Sequence, residues 1–467
     1  MTDQPKWVTA DNAALLTDQY ELTMLQAYWR EEMDREAVFS LYVRRLPEGR
    51  NYLLACGLGD VLDYIETMRF NQKSIDYLAE RDEFSDEFLD WLKDFRFSGD
   101  VYAVREGTPV FSEEPIIEVA GPIAEAQLLE TFVMNQIHFQ TVLASKAARV
   151  VSAAGDRAVV DFGLRRMHGA DAGIKAARAF HIAGVAATSN VLAGQLYGVP
   201  VTGTMAHSYI QAHDRELDAF RAFAHLYGDT ILLVDTYDTL EGVRKVVELA
   251  EEMGDEFRVR GIRLDSGDLA QLAVDSRKIL DDAGLENVDI FASGGLNEHN
   301  IAEMIEEGAP ISGFGVGTGM GVADDAPALD IAYKLTAYAE TGRLKLSSGK
   351  KILPGRKQIF RIEENGGAVR DVLGRADEDG PGRPLLRKVM SGGKRVADED
   401  HSLDEARERA REEIDKLPER IRSIAAAEPP YPVQISDALK AYQREITEAV
   451  KDAQSAEASS AERGSSR

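Results

Sequence analysis

Cysteine is almost missing from this chain. Cys56 is the only one in 467 residues, which excludes an intramolecular disulfide and a zinc site built on several thiolates. Long hydrophobic runs are missing too. Nowhere do the roughly 18 consecutive apolar residues of a membrane helix occur, and the opening MTDQPKWVTADN lacks an apolar signal core. These absences point to a cytoplasmic protein. Positive charge is scarce: 54 Lys and Arg face 80 Asp and Glu, for a net charge of −26. Such a surface repels nucleic acid and anionic lipid, so neither is expected as a partner. Lysine is the scarcer cation, with 17 against 37 Arg. An acidic, lysine-poor surface suits a salt-rich cytoplasm, and a halophilic source is expected; an ordinary acidic enzyme is the alternative. Neither G-x-G-x-x-G nor G-x-x-x-x-G-K-[ST] occurs at the glycine-rich turns, which disfavours a Rossmann cofactor and a Walker-type nucleotide site.

What is present is length and apolar content. At 467 residues and 44% hydrophobic, the chain exceeds one ordinary core and implies two or more domains. Residues 11–95 read mostly as helices, with apolar spacing in ALLTDQYELTMLQAYW and YLLACGLGDVLDYIETM. Residues 97–120 are short β-type runs, and a long helical stretch follows. From residue 157 a rhythm sets in: RAVVDFG, GVAATSN, VPVTGTM, TILLVDT, RVRGIRLDS, VDIFASGG and ISGFGVGTG are short apolar runs, each ending in a small or polar residue. Most of their ends lie 28 to 31 residues apart, with one interval of 14. Alternating strand and helix at that spacing means parallel βα units. The predicted fold is α/β, an irregular (β/α) barrel with a discontinuous α+β outer domain; an open doubly wound sheet is the alternative. The expected division is 1–140 as an N-terminal α+β domain and 141–338 as the barrel. Residues 339–445 are read as a β-rich, then helical segment returning to the 97–120 strands, and 446–467 as a disordered tail low in apolar residues.

In a parallel barrel, chemistry sits at the C-terminal ends of the strands. Asp161, Arg165, Arg166, His207, Asp235, Arg263, Asp265 and Asp268 all fall at or just past predicted strand ends. Any single Asp there could be a helix cap, but the mixture of carboxylate, guanidinium and imidazole on one face points to a site. After the last two strands come SGGL and GFGVGTGMG. Glycines in that place let backbone N–H groups approach an anion, and barrel enzymes often bind phosphate there.

Read in order, LLTDQYELTM, FSLYVRRLPEGRNYLLACGL, DFGLRRMHGADAG, TSNVLAG, GTMAHSY, DTYD, IRLDSGDL, ASGGL and GFGVGTG resemble nicotinate phosphoribosyltransferases, of the type II phosphoribosyltransferase fold. The resemblance runs from about residue 14 to 335. It implies transfer of phosphoribose from phosphoribosyl pyrophosphate to nicotinate, with ATP hydrolysis coupled through a phosphohistidine, in a homodimer or higher oligomer with shared active sites. GTMAHSY matches the segment carrying that histidine, so His207 is expected to be the phosphoacceptor. Asp235 is expected to bond its second ring nitrogen. By the same resemblance Phe162 stacks on the pyridine ring and Tyr20 covers it from the partner subunit. Arg263 is the first choice to read the nicotinate carboxylate, with Arg165, Arg166 and Ser208 contacting substrate. Ser189 favours the acid over nicotinamide. Asp265 would hold ribose hydroxyls or the water shell of a Mg²⁺. Ser293, Gly294, Gly295, Gly315, Gly317 and Thr318 would hold the 5′-phosphate. Some relatives carry a cysteine-ligated zinc; Cys56 alone cannot build one, so no zinc is expected. The competing readings are a nicotinamide or a quinolinate phosphoribosyltransferase and a non-catalytic barrel that senses nucleotide.

Overall fold

The computed structural model describes residues 7–347, 352–397 and 402–464, with side chains to residue 456. The chain divides into two units. One holds the N-terminal segment to Thr141 and two returns, Ala328–Arg422 and Ala426 onward; the other holds Val142–Pro327 with Ser423–Ala425. The helix Glu130–Ala154 carries the chain from the first to the second.

The outer unit is built on a seven-stranded antiparallel sheet. Its order is Thr341–Gly342, Ile331–Tyr338, Glu36–Val43, Pro115–Pro122, Asp100–Ala103, Arg387–Ser391, Lys394–Arg395. Glu36–Val43 is buried at seven of its eight positions. An almost unbroken apolar run lacks the alternation that marks a half-buried strand, which hides this strand within a segment that otherwise reads as helix. A second sheet joins Arg383–Pro384, Lys357–Glu364, Gly367–Arg375 and Val433–Ile435. The return of the C-terminal segment takes a definite form here: Arg387–Ser391 pairs antiparallel with Asp100–Ala103.

Four expectations need correction. The barrel unit ends at Pro327, not near 338, because Ile331–Tyr338 hydrogen-bonds along Glu36–Val43 in the outer sheet. RLKLSS forms no strand over 343–347, and its last residue lies outside the described residues. The supposed disordered tail is helix: Asp437–Gly464 is continuous, and only 465–467 lie outside the described residues. That tail is poor in apolar residues but rich in Ala and Glu, which favour helix even with little to bury. Finally, six strands form the second unit's sheet where seven βα units were expected. The segment VPVTGTM contributes a single parallel bridge, Val201 to Thr188; the interval of 14 residues holds the helix Val191–Tyr197 but no full strand after it.

The second unit is that six-stranded parallel sheet, in the order Ala187–Thr188, Ala158–Asp161, Gly313–Val316, Asp289–Ser293, Gly261–Leu264, Ile231–Leu233. Helices follow the strands. Their starts are set by side-chain caps: Asn190 accepts from the Ala193 amide, Asp238 from Glu241, Asp268 from Gln271 and Asn297 from Asn300. Asp268, one of the candidates at the strand ends, is thus occupied as a cap.

Candidate functional site

Parallel strands deliver their C-terminal residues to one edge, and the side chains there enclose a pocket of about 610 Å³. Its lining includes Phe162, Arg165, Arg166, Ser189, His207, Arg263, Asp265 and the two glycine loops. The ends of all six strands of the sheet and the GTMAHSY segment converge on it.

Arg263 is the hub. It lies inside the strand Gly261–Leu264, with a side chain only 13% exposed. One terminal nitrogen donates to Asp265 Oδ1 and to Ser293 Oγ, both at 3.0 Å; the other donates to the Met205 carbonyl at 2.9 Å. Its Nε is buried without a partner among the described residues. Burial pulls the guanidinium pKa down, against the neighbouring charges of Asp265 and Asp235. A guanidinium has five N–H donors, so after these three bonds two are uncommitted, the buried Nε–H among them. The same group lies 5.9 Å from the centre of the Phe162 ring.

Phe162 follows the buried Asp161, whose two oxygens accept from the Gly163 amide at 2.8 Å and the Thr188 hydroxyl at 2.7 Å. Burial raises the Asp161 carboxyl against those two bonds. Asp161 therefore shapes the turn and does not line the pocket. The Phe162 ring lies over Gly315: a Cβ there would stand 2.4 Å from a ring carbon. Glycine at 315 is what allows the aromatic ring to lie over this strand. Gly294, at φ +93, is equally constrained, since a Cβ would meet the Asp265 carbonyl at 1.9 Å.

His207 opens the short helix His207–Gln211. Its Nδ1 is 3.1 Å from the Thr236 hydroxyl. Its Nε2 faces two carboxylates, Asp235 at 4.0 Å and Asp265 at 3.9 Å. The expected bond from Asp235 to the second ring nitrogen is not made: that place belongs to Thr236. Asp235 Oδ2 instead accepts from the Asp265 amide at 2.9 Å and the Ser266 hydroxyl at 2.7 Å, and its Oδ1 is buried without a partner among the described residues. Asp235 is held in a fixed orientation behind the imidazole by those two bonds. Thr236 was within reach of the sequence, being the residue after Asp235 in DTYD, but a threonine hydroxyl carries no signal until the fold shows what it faces.

Of the remaining candidates, Arg166 reaches the Thr318 hydroxyl at 3.2 Å, linking the segment after Asp161 to the last glycine loop. Arg165 is exposed at the pocket, and Ser189 is half-buried there. Ser293 is buried, its hydroxyl donating to Asp265 at 2.5 Å, so its side chain is engaged inside the protein. Ser208 is exposed and does not line the pocket. Tyr20 belongs to the other unit, on the helix Gln19–Arg30, and is 47% exposed.

A curled parallel sheet with glycine loops after its last two strands, in a chain that also carries an α+β unit, is the type II phosphoribosyltransferase fold. Comparison with known proteins gives the family. The nicotinate phosphoribosyltransferase N-terminal domain model matches residues 15–138, the nicotinate phosphoribosyltransferase family model residues 157–360, and the corresponding C-terminal domain model residues 381–443. The nicotinate phosphoribosyltransferase pncB2 of Mycobacterium tuberculosis is 56% identical over 424 residues, 91% of this chain and 92% of its own length. That of Bacillus subtilis is 41% identical over 360 residues, 75% of this chain and 74% of its own. Among solved structures, human nicotinic acid phosphoribosyltransferase superposes with a TM-score of 0.81 at 28% identity, covering 92% of this chain and 99% of its own. The nicotinate-nucleotide pyrophosphorylase of Pyrococcus furiosus superposes with a TM-score of 0.73 at 25% identity, covering 89% and 99%. This chain belongs to the nicotinate phosphoribosyltransferase family.

Proposed function

We propose that this protein joins nicotinate to phosphoribosyl pyrophosphate, releasing nicotinate mononucleotide and pyrophosphate, and couples the step to ATP hydrolysis through a phosphohistidine at His207. The reaction serves NAD salvage. The observation that carries the reading is the placement of His207: imidazole between two carboxylates and a hydroxyl, in the same pocket as Arg263, Phe162 and two glycine loops.

In the transfer step the nicotinate ring nitrogen bonds to ribose C1 as the bond from C1 to the pyrophosphate oxygen breaks. No protein nucleophile is needed at that carbon, so the protein's part is positioning and charge. Phe162 offers a face for the pyridine ring. The two uncommitted donors of Arg263 suit a carboxylate. Arg165 and Arg166 supply positive charge for the pyrophosphate, and the backbone of Gly294–Gly295 and Gly315–Thr318 supplies N–H donors for the 5′-phosphate. In the coupled step an imidazole nitrogen takes the γ-phosphate of ATP, ADP leaves, and water later releases the phosphate. The half-exposed Asp265 carboxylate and the orphaned oxygen of Asp235 flank this spot. Among the described residues no group of three or more His, Cys, Asp or Glu could hold a metal by itself. A Mg²⁺ would be carried chiefly by substrate phosphates, and Asp265 is the pocket carboxylate that would help to hold it. It would neutralise charge on the leaving pyrophosphate.

The half-buried Ser189 puts no carboxylate at that position of the pocket wall, which favours the acid over the amide. A turnover assay with nicotinate, nicotinamide and quinolinate, each with and without ATP, separates the readings. Enzyme incubated with γ-labelled ATP should gain an acid-labile, base-stable phosphate that His207→Ala abolishes. Thr236→Val, which removes the hydroxyl on Nδ1, should slow the labelling without preventing it. Label persisting in His207→Ala would place the phosphoacceptor elsewhere.

A further inference from the structure

Lys146 is among the largest fully buried side chains of the molecule, and no step above uses it. It sits in the part of the helix Glu130–Ala154 that belongs to the barrel unit, with its side chain 2% exposed. Its ammonium contacts three carboxylates: Glu298 at 2.6 Å, Asp325 at 2.8 Å and Asp324 at 3.4 Å. Glu298 is wholly buried and also receives Arg149 Nε at 2.9 Å. Burial by itself would raise the Glu298 carboxyl; the bonds and charges of Lys146 and Arg149 outweigh it and hold the group lowered.

The sequence positions of these carboxylates matter. Glu298 is the first residue of the helix Glu298–Glu306 and lies just past the Ser293–Gly295 loop. Asp324 and Asp325 follow the short helix Thr318–Val322, just past the Gly315–Thr318 loop. The two loops also approach each other directly: a Cβ on Gly319 would stand 3.2 Å from the Leu296 carbonyl and 3.6 Å from Asp324. Neither Lys146 nor its three partners line the pocket. A lysine offers three donors on a single point, so one buried ammonium can hold both loop exits at once. Arg149 Nε secures Glu298 as a second cation.

We propose that Lys146 is a positioning residue for the phosphoribosyl substrate: it ties the exits of the two glycine loops together and so sets the spacing of their backbone donors. The proposal rests on the reading that these loops hold the phosphate. Two loops whose N–H groups must converge on one phosphate lose affinity if either drifts, since a displacement of about 1 Å can cost up to roughly 100-fold at a catalytic site.

The test is steady-state kinetics on the full chain. Lys146→Met should raise the KM for phosphoribosyl pyrophosphate about 10-fold while the KM for nicotinate moves less than about twofold. Lys146→Arg, which keeps the charge, should recover part of the loss. Because Lys146→Met leaves Glu298 short of a cation and could fail to fold, the double variant Asp324→Asn, Asp325→Asn serves as the second arm. Those side chains are 55% and 35% exposed, and their loss frees one loop exit with little burial cost. It should show the same selective rise. Gly295→Ala, at φ +65, strains the first loop directly. If Gly295→Ala raises that KM but folded Lys146 and aspartate variants do not, the positioning role is overturned and the phosphate reading stands. If Gly295→Ala also leaves it unchanged, both fall.

Discussion

Arg263 shows how much one residue can carry. Its three internal bonds fix Asp265, Ser293 and the Met205 carbonyl, and two of its donors stay uncommitted. Arg263→Ala should raise the KM for nicotinate roughly 10- to 100-fold, the equivalent of about 1.5–3 kcal/mol for a charge-assisted contact. The KM for phosphoribosyl pyrophosphate should change much less, and Arg263→Lys should fall between because an ammonium lacks the planar fork. Equal damage to both constants would show a scaffold role only. Arg263 stood out in the sequence as a guanidinium among the charged residues at predicted strand ends, in the motif IRLDSGDL. Thr236 and Ser266 did not, because the chemistry of a hydroxyl depends wholly on what it meets.

Elements repeat the lesson at greater length. Capped helices and short strands of the barrel unit were legible because each follows local rules of period and punctuation. The strand Glu36–Val43 was not, since burial on both faces erases its alternation. The helix Gln19–Arg30 buries a carboxylate on its inner face. Glu21 is wholly buried, accepts from Gln127 at 2.8 Å, and lies among Tyr20, Asp18 and Glu130. Burial raises its pKa from 4.5 to about 7, with Glu130 and Asp18 adding repulsion against the bonds from Tyr20 and Gln127. The folded chain therefore holds this proton more tightly than the unfolded one. The associated stability is fully present below about pH 4.5 and is lost as pH rises through about 7. The loss is on the order of 2–3 kcal/mol. Glu21→Gln should flatten the fall in Tm between pH 5 and pH 8 and stabilise the protein at pH 8. Parallel Tm profiles for the two proteins would show that Glu21 does not titrate in that window.

At the scale of the whole molecule, charge dominates. A net charge of −26 repels itself. The Debye length shrinks from about 10 Å at 0.1 M salt to about 3 Å at 1 M, so KCl should relieve that repulsion. Thermal unfolding is expected to shift upward by at least about 3 °C over that range, with activity maintained. A Tm that stays level or falls would mean the acidic surface is no adaptation to salt. No helix among the described residues is long and apolar enough to cross a membrane.

The sequence by itself determined the periodic framework of the barrel unit, the glycines of its last two loops, the mixed charges at its strand ends and, through motif resemblance, the family. These are local or ordered along the chain, so one dimension suffices to read them. The tertiary structure alone decided that Thr236 and not Asp235 bonds His207 Nδ1, that Asp268 is a cap, and that Ile331–Tyr338 leaves the barrel for the outer sheet. It alone brought Lys146 against carboxylates more than 150 positions away. The physical reason is the same in each case. A polar atom takes the partner that stands within about 3 Å with the right geometry, and which residue that is depends on the path of the folded chain and not on nearness in sequence.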